Sequence, residues 1–395
     1  MDFRFSPHEQ AFKQDVQDFI KKEWPKEPAS DTDDMEEESR QSHLRGRAFA
    51  KKLAKKGWLA MAWPKQYGGG GASHIEQLIY HEEMSYRGAH IDTPISMGLS
   101  WVGPSLLLYG TEEQKKTFIP KILNAEEGFC TFYSEPGAGS DLAAMQTRAV
   151  ADGDDFVVNG QKIWTTGAHH AEWGWLAART DPTVPKHKGI SMFLVDMKTP
   201  GLTVKPLVNM AHVHSFNEDF FDNVRIPKQN LVGELNRGWY LLAVALDFER
   251  SGVGTFAGHT RNLEQLLDFA RNTKSNGGRL SDNPALRAKL AELKVEIEAG
   301  RFLAYRIAWM QSKGLVPNKE ASISKLFGSE LGQRLYKAGM EMVGLYGQLD
   351  RGSKWAPLKG AIERGYLSSV SATIAAGTSE IQRNIIAQRG LGLPR

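Results

Sequence analysis

The stretch FVVNGQKIWTTGAHHAEWGWLAART, from Phe156 to Thr180, lies where the sequence pattern changes from helical to strand periodicity. Apolar, β-branched and aromatic residues come here in short runs, separated by turn residues such as the Asn159–Gly160 pair. Similar runs follow in GISMFLVDM, LTVKPLV and FNEDFFDNVRIP. This spacing predicts a compact antiparallel barrel or sandwich between about residues 126 and 233.

Helical periodicity lies on both sides of this region. AFKQDVQDFI and HIEQLIYHEEM carry apolar residues at helical spacing before it, and NLEQLLDFA and ALRAKLAELKVEIEAGRFLAYRIAWM do so after it. The sequence therefore predicts an α+β multidomain chain. We expect an N-terminal helical domain over residues 1–125, a middle β domain over 126–233 and a C-terminal helical domain over 234–395.

Composition limits the classes of partner. The chain has 49 Lys and Arg against 46 Asp and Glu, a balance that gives no reason to expect nucleic acid or an anionic membrane. No apolar run approaches the roughly 18 residues of a membrane span. A single cysteine, Cys130, excludes an internal disulfide. We therefore expect a cytoplasmic protein.

Two motifs of the β region are suited to holding a ligand. In SEPGAGSDLAA the glycines permit close approach of the backbone and Ser134 and Ser140 supply hydroxyls, although a polar turn has the same pattern. In GQKIWTTGAHH, Trp164 and Thr166 are two apart and would share one face of a strand. The tryptophan would either fill the core or stack on a flat ring such as a flavin, and the pattern alone leaves both open.

The pairs His169/His170 and His212/His214 raise the question of a metal site. Neither pair has a cysteine or carboxylate at a spacing typical of metal ligands. We expect solvent-facing loop histidines and no metal.

Four motifs in order resemble those of the acyl-CoA dehydrogenases. They are FYSEPGAGSD, KIWTTGAHHAEWGWLAART, FFDNVRIPKQNLVGELNRGW and AAGTSEIQRNIIAQRGLG. The resemblance covers essentially the whole chain. It implies a helical domain, a β-barrel and a C-terminal four-helix bundle, with FAD between barrel and bundle. It also implies an acyl-CoA substrate and an electron-transferring flavoprotein as the electron acceptor.

The same resemblance assigns flavin contacts in the β region. It implies that Tyr133, Ser134 and Ser140 lie at the edge of the flavin ring and the substrate entrance. Trp164 is expected to stack on the ring, and Thr166 to bond near its N5.

The C-terminal motifs carry the remaining expected contacts. The resemblance places Thr378 and Glu380 at the pyrophosphate and the adenosine end of FAD, although the family usually has glutamine where Glu380 stands. It places Ala376 and Arg250, together with Ser140, at the substrate. Helical spacing by itself favours a structural pairing of Arg250 with Asp247.

The expected catalytic base is displaced along the sequence. In TIAAGTSEIQR the position before Gly-Thr, where many family members carry the catalytic glutamate, is Ala376. Members that resemble isovaleryl-CoA and long-chain acyl-CoA dehydrogenases carry it in a Leu-x-x-Glu-Arg motif on the first long helix of the C-terminal domain. YLLAVALDFERSGVGTFAG puts Glu249 at that position.

Helical spacing gives Glu249 an apolar setting. Leu242, Ala245, Leu246, Val253 and Phe256 fall on the same stripe as Glu249, and such an apolar setting would raise the pKa of its carboxyl toward neutrality. The resemblance then implies that Glu249 takes the α-proton while hydride passes from the β-carbon to flavin N5, giving the trans-2-enoyl-CoA. The thioester carbonyl would be bound by a flavin ribityl hydroxyl and the backbone N–H of Ala376.

Assembly is less well defined by the sequence. Family members carry an Arg-x-x-Phe-Gly motif that reaches a neighbouring subunit's FAD, and Thr273 and Asn276 stand at its Arg and Phe positions here. Leu345 replaces one of the usual glycines in MVGLYGQ. The sequence leaves two assemblies open: an α2β2 heterotetramer, in which a related chain donates the arginine, and a homotetramer, in which a nearby cation, Arg271, Lys274 or Arg279, substitutes for it.

Other functions stay open from the sequence. One is a catalytically silent or structural subunit, and another is an acyl-CoA oxidase or nitroalkane-type flavoprotein. The acyl group is equally open between fatty, branched, dicarboxylic and steroid side chains. Gly88, Gly98 and Gly103 would either leave room for a bulky chain or serve helix packing.

Overall fold

The computed structural model describes residues 4–25, 34–244, 251–275 and 277–394. The chain forms two compact units, which interleave along the sequence. The first unit comprises Met1–Pro25, Ser73–Ala89 and Arg250–Arg395, and the second comprises Lys26–Ala72 and His90–Glu249.

Helices lie before and after a set of strands, so the predicted order of helical, β and helical regions is confirmed. The helices are α1 Pro7–Glu23, α2 Met35–Lys56, α3 His74–Tyr86, α4 Thr93–Met97, α5 Gly103–Tyr109, α6 Glu112–Leu123, α7 Gly238–Val244, α8 Val253–Asn272, α9 Pro284–Ser312, α10 Asn318–Val343, α11 Ala361–Ala372 and α12 Ser379–Ile385. The predicted domain boundaries after residues 125 and 233 stay a prediction.

Capping chemistry explains where several helices begin. The Ser6 hydroxyl accepts the Glu9 N–H, and the Glu9 carboxylate accepts the Ser6 N–H, so both ends of a capping box start α1. Ser73 and Glu76 start α3 in the same way. None of the helices within the described ranges is long and apolar enough to cross a membrane.

The strands lie mainly in the second unit. They are β1 Phe129–Phe132, β2 Arg148–Asp152, β3 Asp155–Ile163, β4 Trp173–Arg179, β5 Ile190–Asp196, β6 Leu202–Val208, β7 His214–Pro227 and β8 Leu231–Val232, and a separate hairpin in the first unit has β9 Lys274–Ser275 and β10 Gly278–Arg279. The large sheet has the order β6-β7-β3-β2-β4-β5-β8, with β1 on β4. It is mostly antiparallel, as predicted, but β1 and β2 each meet β4 in parallel.

The first unit has its own apolar core, built where α8, α9 and α10 pack. Phe256 is fully buried there. A Cβ added at Gly300 of α9 would lie 2.0 Å from the Phe256 ring, and one at Gly328 of α10 would lie 3.3 Å from it. The two glycines therefore let three helices close around one aromatic ring.

Candidate functional site

The two ligand motifs of the β region lie side by side in the second unit. The Ile163 N–H donates to the Ser134 carbonyl at 3.0 Å. The Lys162 ammonium donates to the Tyr133 carbonyl at 2.9 Å. The start of the SEPGAGSD turn is therefore fixed against the end of β3, beside Trp164.

A buried ion pair fixes this arrangement. Lys162 Nζ lies 2.8 Å from the Glu135 carboxylate, and both side chains are buried. The same carboxylate accepts the backbone N–H groups of Gln146 and Thr147 at 2.5 and 2.9 Å. Burial lowers the pKa of Lys162 to about 8. Burial opposes the Glu135 charge, but Lys162 and the two N–H donors lower the pKa of its carboxyl overall.

Trp164 departs from the sequence expectation. Strand β3 ends at Ile163, and Trp164 adopts φ 63, so the pair Trp164 and Thr166 does not continue a strand face as predicted. A tryptophan in the left-handed region is strained, which is characteristic of functional sites. Its side chain is 56% exposed and does not fill the core. A flat aromatic surface is therefore presented, as stacking on a flavin ring requires.

The residues around Trp164 also suit a polar planar ligand. The hydroxyl of half-buried Thr166 has no hydrogen bond within the described parts of the chain. Ser140 is exposed, and a Cβ at Gly137 or Gly139 would meet open space. The region thus fits the ring of FAD, because it offers an aromatic surface for stacking, a hydroxyl that can form a hydrogen bond, and open space beside the glycines.

Tyr133 packs against the helical segment at Gly98–Val102, which is a π-helix between α4 and α5. The Tyr133 ring meets Trp101 edge to face at 5.5 Å between centroids. Its hydroxyl oxygen is buried without a hydrogen-bond partner among the described residues, and burial raises its pKa. An orphaned polar atom of this kind marks a place where a bound group or water is expected.

A second orphaned group lies beside Thr165. Asp219 of β7 is fully buried, and both carboxylate oxygens are without a hydrogen-bond partner among the described residues. Burial raises the pKa of this carboxyl to about 7, although the neighbouring Thr165 hydroxyl lowers it in part. Asp219 therefore gains or loses a proton near neutral pH, next to the expected flavin segment.

The C-terminal motif lies in the first unit. Ala376 and Gly377 have φ values of 54 and 89. The Gly377 carbonyl accepts the Lys325 ammonium at 2.6 Å, and the Ala376 carbonyl accepts the Gln382 amide at 3.2 Å. Thr378 caps α12, where its hydroxyl accepts the Ile381 N–H at 3.2 Å. The stretch is thus a tight turn whose carbonyls are held by side chains of Lys325 and Gln382.

A cleft of about 670 Å³ lies beside this turn, within the first unit. Among its lining residues are Thr378, Glu380 and three cations, Arg334, Lys337 and Arg383. Glu380 is exposed, and its own N–H and the Thr378 side chain lower the pKa of its carboxyl. Glu330 also lines the cleft and pairs with Arg383 at 2.7 Å, and Arg334 pairs with Glu296 at 3.1 Å. A pyrophosphate here would meet the Thr378 hydroxyl and would share these cations with their carboxylate partners.

Glu249 and Arg250, which sequence reasoning placed at the substrate, lie outside the described residues. The described flanks do correct one expectation. Helix α8 begins at Val253 after Gly252, whose φ is 66. A single helical stripe from Leu242 to Phe256 is therefore wrong, because a left-handed residue interrupts the helix.

The histidine expectation also needs correction. His214 is buried and His169 and His170 are half-buried, whereas His212 is exposed as predicted. Helix α2 covers the first three, through contacts of Ser39 and Glu36. Within the described ranges, no three His, Cys, Asp or Glu side chains group as metal ligands.

The three glycines considered for the acyl chain pack tightly. A Cβ at Gly103 would lie 2.1 Å from the Trp63 ring, and one at Gly98 would lie 3.0 Å from the Phe129 ring. A Cβ at Gly88 would lie 2.3 Å from the Arg261 guanidinium. Helix packing is therefore the reading that the structure supports.

Sequence reasoning missed the polar groups behind the motifs. Lys162, Asn217 and Asp219 point into the β domain although their strands otherwise bury apolar residues. The available signal was a polar residue at an inward position of the alternating run, as in FNEDFF.

Comparison with known proteins identifies the family to which this chain belongs. The acyl-CoA dehydrogenase N-terminal domain matches residues 6–126, the middle domain 130–224 and the C-terminal domain 236–391. The fold and these matches define an FAD-dependent oxidoreductase that acts on CH–CH bonds. The chain belongs to the acyl-CoA dehydrogenase family.

Several members of the family are similar to this chain over most or all of its length. The acyl-CoA dehydrogenase FadE26 of Mycobacterium tuberculosis is 39% identical over 350 residues, 87% of this chain and 86% of that protein. One chain in the crystal structure of the ChsE4-ChsE5 complex from the same organism is 36% identical to this chain, with a TM-score of 0.88 over 100% of both chains. The Tcur3481-Tcur3483 steroid ACAD is 32% identical, with a TM-score of 0.87 over 100% of both chains.

Proposed function

We propose that this chain dehydrogenates an acyl-CoA thioester to the trans-2-enoyl-CoA, with Glu249 as the base that removes the α-proton. FAD, when bound, accepts the hydride from the β-carbon. The observation that carries the assignment is Ala376, which has the left-handed backbone of the C-terminal turn but no carboxylate. A different residue has to act as the base, and the family offers one other position, where Glu249 stands.

The Ala376 backbone supports a role at the thioester carbonyl. Its N–H makes no hydrogen bond within the described parts of the chain, while its carbonyl is held by Gln382. A free N–H of this kind stabilises negative charge on the carbonyl oxygen and so acidifies the α-carbon. A side chain is not needed for this role, so alanine is compatible with it.

The remaining residues hold the cofactor and the substrate in this proposal. Trp164 stacks on the flavin ring, and Thr166 bonds near its N5. Tyr133, Ser134 and Ser140 lie along the ring edge and the substrate entrance. Their support is the exposed indole of Trp164 and the unpartnered oxygens of Tyr133 and Thr166.

In this proposal the C-terminal turn binds the other end of the cofactor. Thr378 and Glu380 contact the pyrophosphate and the adenosine, and Arg250 assists at the substrate. The support is the cation-lined cleft that contains Thr378 and Glu380.

The direct test is a titration of the flavin spectrum, without oxygen, with a panel of acyl-CoA thioesters. The panel contains straight, branched and dicarboxylic side chains, and also steroid side chains because one similar solved structure is a steroid ACAD. We expect bleaching of the flavin and formation of enoyl-CoA with at least one member. Added electron-transferring flavoprotein is expected to restore the oxidised spectrum.

Two outcomes would favour the competing functions. A chain that stays colourless alone and with a related chain is a silent or structural subunit. Rapid reoxidation of the reduced flavin by air indicates an oxidase-like enzyme.

The proposed assembly is a heterotetramer with a related chain, in the cytoplasm. Leu345 is 83% exposed, and Arg271 pairs with Asp268 on its own helix at 3.5 Å. Thr273 is the C-cap residue that follows α8, and Lys274 and Arg279 lie in the β9–β10 hairpin. Removing the expected arginine leaves a pyrophosphate short of one charged hydrogen bond, worth about 1.5 to 3 kcal/mol. One similar solved structure is a complex of two differently named chains.

Flavin content distinguishes the assemblies. The chain is purified alone and with a related chain, and FAD per subunit is measured. We expect less than one FAD per chain, and full content only in the mixed complex. One FAD per chain in a stable, active homotetramer contradicts the heterotetramer and leaves the dehydrogenase activity untouched.

A further inference from the structure

Four imidazole rings form a continuous stack in the second unit, which we call the histidine stack. The ring centroids of His43 and His170 are 4.3 Å apart, those of His170 and His169 4.1 Å, and those of His169 and His214 3.9 Å. His43 belongs to α2, and His214 begins β7. The stack therefore joins α2 to the turn that follows Thr166.

Asn217 ties this stack to the expected flavin segment. It is fully buried. Its backbone N–H and carbonyl pair with the carbonyl and N–H of Thr165 at 3.0 and 3.1 Å, and its Nδ2 donates to the Thr165 carbonyl at 2.9 Å. Three hydrogen bonds thus hold the residue between Trp164 and Thr166.

The bond to Thr165 fixes which way the Asn217 amide faces. Because Nδ2 donates to a carbonyl there, Oδ1 faces His214 Nε2 at 3.0 Å, and His169 Nδ1 lies 3.0 Å from Nδ2 and 3.2 Å from Oδ1. In the neutral His169 ring with its proton on Nε2, Nδ1 accepts from Nδ2. Asn217 therefore holds both Thr165 and the His169 ring.

The chain of hydrogen bonds continues in one direction. His169 Nε2 lies 3.0 Å from the Ser39 hydroxyl, to which it donates. Ser39 has one proton of its own, which points to His170 Nε2 at 3.0 Å. A second proton on His169 changes its Nδ1 from an acceptor to a donor, for which Asn217 Oδ1 lies at 3.2 Å.

The charged groups around the stack face its other rings. Glu36 lies 2.7 Å from His214 Nδ1, and Asp92 lies 2.8 Å from His43 Nδ1. Glu172, the carboxylate near His170, is paired with Arg47 at 2.7 Å. None of these carboxylates is hydrogen-bonded to His169, whose ring contacts are Asn217, Ser39 and the neighbouring imidazoles.

A proton on His169 would put a cation between His170 and His214, whose ring centroids lie 4.1 and 3.9 Å away, at a half-buried position with no carboxylate hydrogen-bonded to it among the described residues. Solvation of that charge requires His169 to leave the stack, and the segment that Asn217 holds ends three residues before it, at Thr166. Burial, with His170 and His214, lowers the pKa of His169 to about 4. The neutral ring and the intact hold on Thr165 thus belong together.

We propose that Asn217 is a positioning residue that holds the segment Trp164–Thr166 for the flavin, and that His169 makes this hold sensitive to acid. The inference rests on the proposed function, since the flavin contacts of Trp164 and Thr166 are part of it. A released segment leaves His169 solvated with an ordinary pKa near 6.5, so protons favour release. The hold weakens as pH falls from about 6.5 toward 4.

Hydrogen exchange, read by mass spectrometry on peptides covering residues 160–170, tests the hold in the complete purified protein. Asn217→Asp keeps the side-chain shape but sets an oxygen against the Thr165 carbonyl. At pH 7 we expect exchange at residues 165–167 to rise about tenfold or more over wild type, while peptides from β5 are unchanged. His212→Asn is the control, because His212 is exposed and its φ of 52 suits asparagine.

The acid response is tested with His169→Gln, which cannot take the proton. Exchange is compared with that of wild type at the same pH, at pH 7 and pH 5, and FAD retained after desalting is measured by absorbance. Wild type and His212→Asn are expected to lose several-fold more FAD at pH 5 than at pH 7. His169→Gln is expected to show a clearly smaller difference, and the remainder comes from His170, whose pKa burial also lowers to about 4.

Two results would overturn the inference. One is wild-type protection of residues 165–167 in Asn217→Asp at pH 7, and the other is an acid response of His169→Gln equal to that of wild type. If Asn217→Asp unfolds as a whole, seen in the β5 peptides, the His169→Gln comparison decides alone. An acid response in exchange from a chain that never binds FAD contradicts the proposed function, while the hold of Asn217 on Thr165 stands.

Discussion

The Lys162 ammonium and the Glu135 carboxylate meet at 2.8 Å inside the β domain, where the lysine side chain has no exposed surface. Glu135 lies in the turn that follows β1, and Lys162 lies on β3 next to the last residue of that strand. The pair therefore joins the two segments to which the flavin contacts are assigned. Two backbone N–H groups also donate hydrogen bonds to the carboxylate, and the ammonium donates a second hydrogen bond to the Tyr133 carbonyl.

Lys162→Met is expected to lower the free energy of unfolding by about 3 to 5 kcal/mol, because it leaves the Glu135 charge buried without its partner. Methionine keeps most of the side-chain volume, so the loss reports the charge. Urea unfolding at pH 7 measures it. Lys186→Met is the matched control, since the Lys186–Asp141 pair is half-exposed and is worth about 1 kcal/mol or less. An equal loss of unfolding free energy in the two variants would show that the buried ion pair stabilises the fold no more than the half-exposed one.

Gly103→Ala is expected to destabilise the chain by about 1 to 3 kcal/mol, because the new methyl group overlaps the Trp63 ring. Thermal unfolding measures the effect. Gly258→Ala is the control, since Gly258 lies in α8 with open space at its Cβ and alanine favours a helix by up to about 1 kcal/mol. If Gly103 instead leaves room for substrate, Gly103→Ala keeps its stability and loses only the longer acyl-CoA thioesters.

Asp219→Asn is expected to remove a pH dependence of stability. The folded chain holds a proton on Asp219 up to about pH 7, whereas the ordinary pKa is 3.8. Between these values the folded state binds the proton and the unfolded state does not, so stability falls as pH rises through the window. Asp219→Asn therefore gains about 2 to 4 kcal/mol over wild type at pH 8 and little at pH 4.

Urea unfolding of both proteins between pH 4 and 8 gives this profile. Asp222→Asn, on the exposed side of the same strand, is the control and is expected to follow wild type. A constant difference between Asp219→Asn and wild type at every pH would mean that the carboxyl does not titrate in this window.

Much of the fold was predictable because its signals are local. Capping at Ser6 and the alternating runs of β3 and β7 depend on residues within a few positions of each other. The left-handed backbone of Trp164 was not predictable, because tryptophan has no preference for that conformation. The break at Gly252 was readable in principle from SGVG, but the apolar stripe around it favoured a continuous helix.

The candidate site shows the same limit at longer range. The burial of His214 depends on Glu36, which lies 178 positions earlier in the chain. The polar groups beside Thr165 depend in the same way on pairing between β3 and β7. Family motifs identified the residues expected to face the ligand. The residues that hold them from behind required the tertiary structure.

Glu249→Gln is expected to preserve the flavin spectrum and acyl-CoA binding while slowing reduction of the flavin by about 10² to 10⁴-fold, the usual contribution of a positioned base. Glutamine keeps the size and hydrogen-bonding capacity of the side chain but cannot take the α-proton. Stopped-flow absorbance of the flavin under anaerobic conditions measures the rate. Glu264→Gln on α8, whose carboxylate binds the Tyr86 hydroxyl at 2.8 Å, is the control for loss of a helical carboxylate. Reduction at the wild-type rate in Glu249→Gln would remove the residue from the mechanism.

Ala376→Glu in the Glu249→Gln background tests whether the two positions serve one α-carbon. Many family members carry their base where Ala376 stands, and the side chain there is exposed, so a longer one meets no buried neighbour. The φ of 54 is uncommon for glutamate but lies within the left-handed region that L-residues adopt. We expect partial recovery of flavin reduction, by about tenfold, because the carboxylate reaches the substrate from a different direction and its fit has not been selected. Ala376→Gln in the same background is the control, and recovery by glutamine as large as that by glutamate would show that the effect is not proton abstraction.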